Sequence, residues 1–155
     1  MLLCLKNIMA IAEFIYYNKF MKLIVCVSDN NGIMFNHRRQ SQDGILREYL
    51  HKIVGENKLY MSPYSAKMFK EHPDIVVSEN MDKLPEDAYY FMEDAEVEWY
   101  TISEIILCRW NRDYPADRFL PDIKFEFELK DTVGFKGSSH EKITVERWER
   151  RNEKN

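Results

Sequence analysis

Residues 22–52, KLIVCVSDNNGIMFNHRRQSQDGILREYLHK, decide how this chain is to be read. The first six, KLIVCV, are apolar and largely β-branched, as in a buried strand, and residues 29–32 supply turn chemistry. Ile45, Leu46, Tyr49, Leu50 and Ile53 then recur at helical spacing, with Asp43 as a carboxylate in the first turn of that helix. A buried strand, a polar loop rich in functional side chains and a helix are how an α/β domain presents a site.

Working outward, 155 residues with 45% hydrophobic content suffice for one domain with a real core and are too few for two. Residues 21–151 are expected to form that domain. A net charge of −4 gives no global electrostatic reason to bind nucleic acid or an anionic membrane. Of three cysteines, Cys26 and Cys108 sit in apolar strand-like runs as small core residues, a pattern that suits a reducing cytoplasm. Residues 1–20 are apolar, but Lys6 and Glu13 interrupt them and no cleavage-site pattern precedes Met21. They read as an extension outside the domain, with an amphipathic docking helix as the alternative.

Further along, Gly55 is a helix stop, residues 58–61 a short strand, and Ser62-Pro63 the cap and first residue of a second helix reaching about Lys70. Strands are expected at 74–78, 89–93 and 104–109, with a short helix at 95–102 carrying Trp99 and Tyr100. Strands alternating with helices predict a mostly parallel central sheet with flanking helices. From Ile123 the period changes to two: KFEFEL and residues 142–148 predict a C-terminal antiparallel hairpin turning at Gly134 and Gly137. Residues 149–155 read as a frayed tail.

In order and spacing, these elements resemble dihydrofolate reductase. Residues 23–32 are similar to that family's first strand and turn, and Asp43 in SQDGILREYLHK stands at its pterin-binding carboxylate. Residues 58–61 resemble the following strand, EIILCRWNRDYPADRFLPD the late strand with its D-x-x-F-P-D segment (Asp117, Phe119, Pro121, Asp122), and FKGSSHEKITVERWERR the closing strand. Two motifs depart from the pattern. Where the family begins its second helix with Gly-Arg and a Thr to hold NADPH phosphates, this chain has Ser62, Pro63, Tyr64 and Ser65; where the family places a glycine pair against the pyrophosphate, it has Glu93 and Asp94. Adjacent carboxylates repel an anion and obstruct its approach. The resemblance thus implies a reductase-like scaffold with no NADPH cofactor, and without a nicotinamide there is no hydride to transfer.

The candidate residues follow. Asp43 is read as either a helix cap or, through two parallel hydrogen bonds, the receiver of the N–H/C–NH2 edge of a pterin or guanine. Within the polar run 36–41, Arg38 and Arg39 would take a phosphate or carboxylate of the ligand, with Gln40 and Ser41 beside them. Trp110, Asn111 and His140 would form the opposite wall. His140 is a general acid or base with Asp43 if the fold brings the last strand to the first helix. Ser139 is not expected to pair with His140, because neighbours along a strand face opposite ways. The runner-up reading is an RNA-binding or metal-independent RNA-processing protein, from the arginines and aromatics interleaved in CRWNRDYPADRF. Metal-dependent cleavage of the metallo-β-lactamase kind is not indicated, since His37, His51, His72 and His140 lack ligand spacing and no metal site is read.

Overall fold

A computed structural model describes residues 21–79 and 84–152. The expectations for residues 1–20, 80–83 and 153–155 lie outside the described residues. The chain forms β1 (Met21–Val27), β2 (Gly32–Phe35), β3 (Arg38–Arg39), α1 (Gly44–Val54), β4 (Leu59–Met61), α2 (Pro63–Ala66), β5 (Ile75–Val77), β6 (Tyr89–Phe91), β7 (Ile102–Arg109), β8 (Arg118–Phe119), β9 (Phe127–Phe135) and β10 (Ile143–Arg150). Seven strands make the main sheet in the order β5-β4-β6-β1-β7-β10-β9. The five at the β5 end run parallel, and β10 joins β7, and β9 joins β10, antiparallel. The expected α/β architecture, a mostly parallel sheet closed by an antiparallel hairpin, is therefore what the chain forms.

β1 is central because it is apolar on both faces, as a parallel strand covered on both sides must be. Leu23, Val25 and Val27 join one core with Tyr90, Met92, Ile105, Leu107 and Trp148. Ile24 faces the other, where Leu46, Leu50 and Val54 of α1 pack with Leu59, Met61, Phe69 and Phe91. The buried positions of α1 recur every four residues, which is the stripe read from the sequence. Gly55, at φ 61°, ends it.

Several boundaries differ from the sequence reading. The polar run 36–41 is not a loop throughout: Phe35 pairs with Arg38 across a two-residue connection in which Asn36 and His37 have φ of 53° and 61°, the signature of a type I′ hairpin. With β8 this hairpin makes a second, three-stranded sheet, β3-β2-β8, that was not anticipated. The second helix is one α turn followed by a 3-10 turn at Lys67–Phe69, and the expected helix at 95–102 is only a 3-10 turn at Trp99–Thr101. Neither segment has the apolar periodicity to sustain more turns against the sheet. β9 begins at Phe127 and carries Gly134 inside it, so the hairpin turn lies wholly after Phe135; β10 continues to Arg150 rather than fraying at Glu149. Among the described residues no helix is long and apolar enough to cross a membrane.

Because Leu50 is fully buried between α1 and the sheet, Leu50→Ala is expected to lower stability by about 3 kcal/mol, read from the urea unfolding midpoint at unchanged slope.

Candidate functional site

Asp43 caps α1 from an extended backbone conformation, φ −152° and ψ 124°. Its Oδ1 accepts from the backbone N–H groups of Ile45 (3.0 Å) and Leu46 (3.2 Å), the ordinary work of a cap. The turn between β9 and β10 then delivers a second set of donors. Ser138 N–H donates to Oδ1 at 3.0 Å, while Ser139 N–H (2.8 Å), Ser139 Oγ (3.2 Å) and His140 Nδ1 (3.0 Å) reach Oδ2. Gly137 makes this approach possible, since a Cβ there would lie 2.3 Å from Asp43 Oδ2. Burial alone would push the carboxyl up; the bonds from His140 and from the Ser139, Ser138 and Leu46 backbone outweigh it and hold the group well below the usual carboxylate range. Asp43 is thus ionised, 3% exposed and engaged on all sides by protein donors, with no acceptor position left for a heterocycle.

That arrangement fixes His140, also 3% exposed. An ionised carboxylate only accepts, so Nδ1 carries the proton and Nε2 presents a lone pair. Around Nε2 lie Ser41 Oγ at 3.0 Å and Tyr114 OH at 3.1 Å, and these two hydroxyls are 3.4 Å apart. Trp110 stacks on the imidazole, centroids 4.5 Å apart, which sets the ring plane. Asp43 and His140 are brought together as the sequence suggested. Ser139 does contact His140, at Nδ1 (3.2 Å), because both stand in a turn and not on a strand where alternation would apply.

Past the end of β6, the other departure from the family pattern is equally engaged. Arg39 binds Glu93 through Nε and Nη2, both 3.0 Å, and lies over the Tyr64 ring. Burial would lower the Arg39 pKa, but Glu93 raises it on balance. Ser65 Oγ donates to Glu93 at 2.8 Å, and Ser62 Oγ to Asp94 at 2.7 Å. The residues that open α2 therefore hold carboxylates.

Between these two clusters runs a narrow cleft. Leu46, Leu50, Met68, Phe69 and Trp110 supply its apolar walls, and Arg39, Gln40, Ser41 and Asp43 its polar ones. Arg38 is exposed on the hairpin and Asn111 is bonded to Lys142 O and Thr144 Oγ1; neither lines the cleft, because the tight turn before β3 and the left-handed Asn111 at the end of β7 carry them elsewhere. Arg39 lines it but is spent on Glu93. Sequence reasoning passed over Arg47, which follows Asp43 by one helical turn, lines the cleft and bonds only Gln42 Oε1. It also missed the state of Gln40: Nε2 donates to Ser28 Oγ (2.9 Å) and Pro115 O (3.2 Å). A carbonyl can only accept, so the amide orientation is determined, and Oε1 is left buried without a partner.

The arginines and aromatics of the segment CRWNRDYPADRF are mostly engaged within the protein, with Arg112 and Phe119 exposed. Arg109 pairs with Glu146, Arg118 with the Asp94 and Ala95 carbonyls, and Trp110 and Tyr114 with His140. Only Phe119, 52% exposed, stands free among its aromatics. Among the described residues no cluster of three or more His, Cys, Asp or Glu could hold a metal.

No protein-family model matches the chain, and no curated protein is similar to it in sequence. Solved structures are similar in fold. Dihydrofolate reductase from Enterococcus faecalis, complexed with NADP(H) and RAB-propyl, superposes with a TM-score of 0.62 over 88% of this chain and 99% of that one, at 10% identity. The fold is that of dihydrofolate reductase.

Asp43→Asn replaces an acceptor with an amide facing N–H donors and is expected to cost about 3–5 kcal/mol at pH 7 in chemical unfolding. The carboxyl is lowered on folding, so its contribution is complete above the unfolded value near pH 4 and is lost as pH falls toward the folded one. The gap between wild type and Asp43→Asn accordingly narrows below pH 4.

Proposed function

We propose that this chain is a ligand-binding protein on the dihydrofolate reductase scaffold, whose cleft takes a small planar heterocycle of the pterin or guanine kind bearing an acidic group, without a nicotinamide dinucleotide. The observation that carries the reading is the orphaned Gln40 Oε1, a buried acceptor with no partner among the described residues, on a side chain that lines the cleft. An unpaired buried acceptor is costly, and a ring N–H is the natural group to satisfy it. Arg47, paired with no carboxylate among the described residues, supports an acidic substituent on the ligand. Asp43 contributes by holding the wall in place rather than by touching the ring.

The absence of a dinucleotide is supported by Glu93 and Asp94, which stand where the family resemblance puts a pyrophosphate and already occupy Arg39, Ser62 and Ser65. An incoming diphosphate would meet two carboxylates and no unpaired cation there. Reduction of the bound heterocycle is therefore not part of this reading.

Calorimetric titration is expected to detect saturable binding of acidic pterin or guanine compounds and none of NADPH. Gln40→Leu should weaken the heterocycle about tenfold, as for loss of one hydrogen bond, and Arg47→Ala should weaken only the acidic members of the series. Tight NADPH binding, or a series in which no heterocycle binds, refutes the proposal.

A further inference from the structure

We infer that Ser41, His140 and Asp43 form a nucleophilic centre, with Tyr114 beside the attacking oxygen, that transfers an acyl group from an activated ester or thioester to water. This goes beyond the binding reading: it needs the cleft only as the route to Ser41, and it holds whether or not a heterocycle binds.

The chain of contacts is Asp43 Oδ2 to His140 Nδ1 at 3.0 Å, then His140 Nε2 to Ser41 Oγ at 3.0 Å. Nucleophilic catalysis by a hydroxyl requires a base within hydrogen-bond reach and a third group orienting that base, whatever the fold or residue order. Both are present. The tautomer is forced by the ionised Asp43, so the basic lone pair faces Ser41. The ring cannot swing, because Trp110 stacks on its face and Asp43 holds its far edge. Asp43 is a positioning residue; His140 and Ser41 are the reacting groups.

Ser139 cannot take this part, since it sits at Nδ1 and its hydroxyl reaches Gln42 O (3.0 Å) and Asp43. Ser41, in contrast, lines the cleft, whose apolar wall includes Leu46, Leu50 and Met68. Tyr114 OH, 3.4 Å from Ser41 Oγ and itself within 3.5 Å of Arg112 Nη1, is the donor closest to where negative charge develops.

In the step, Ser41 Oγ bonds to the acyl carbon and its proton passes to His140 Nε2. The carbonyl π pair moves onto oxygen, then returns as the bond to the alkoxide or thiolate breaks, and that leaving group takes the proton from Nε2. Water attacks the acyl-serine in the same way, giving its proton to His140, which returns it to Ser41 as the carboxylic acid departs. No oxidant or reductant is needed.

The full chain, treated with a short-alkyl fluorophosphonate and examined by intact mass and peptide mapping, is expected to acquire one adduct, on Ser41, and to hydrolyse p-nitrophenyl butyrate. S41A abolishes both. H140Q slows labelling by about a hundredfold or more, the share of a general base, and Y114F, which leaves the buried Asp43–His140 pair intact, by about tenfold or more. A wild-type chain unlabelled at Ser41, or labelled at the same rate in H140Q and Y114F, overturns the inference. Heterocycle titration of the wild-type chain separates the two readings, since binding there survives if only the acyl chemistry fails.

Discussion

A single buried carboxylate organises this molecule. Asp43 accepts from six donors, two at the start of α1 and four from the turn before β10. An isolated ionised carboxylate inside a protein costs several kcal/mol, and only saturation with donors makes it tolerable. The geometry of Gly137, the tautomer of His140 and the height at which the last hairpin meets the first helix all follow from that requirement. In a sheet whose β10 and β9 are added antiparallel to a parallel body, this is the tie between the two parts on the side of α1.

A second pair of carboxylates shows the same economy in a different place. Glu93 and Asp94 are bound by Ser65, Arg39 and Ser62, groups that elsewhere could hold a ligand's phosphates. The protein supplies its own anion, and the local positive and hydroxyl-rich environment is neutralised from within.

The main sheet was legible in the sequence because its strands carry apolar runs, as residues 23–27 in β1 and 105–108 in β7 do, or begin in alternation, as Ile143 and Val145 in β10 do. The position of the site was legible for a similar reason: Asp43 stands just ahead of a clear amphipathic stripe. What escaped was short or distant. The β2–β3 hairpin uses Asn36 and His37 where glycine is the stronger signal, and two-residue strands carry no period. The contacts of Ser41 with His140, 99 residues apart, depend on how two loops meet and leave no local trace. Arg38 and Arg39 looked equivalent on paper; alternation across β3 leaves one exposed and sends the other to Glu93. Gln40 and Arg47 became informative only once their neighbours could be counted as satisfied or not.

The long separation between Asp43 and its turn has a consequence for biogenesis. A nascent chain can build the helix and the parallel strands as they emerge, but the first of the donors at 138–140 follows Asp43 by 95 residues, and contacts of such high sequence separation are the slow ones to close. Until then the acid at the helix start remains hydrated and His140 has no fixed orientation. Completion of the site is therefore coupled to arrival of the turn at 138–140, and a chain ending before it would lack the Asp43–His140 pair.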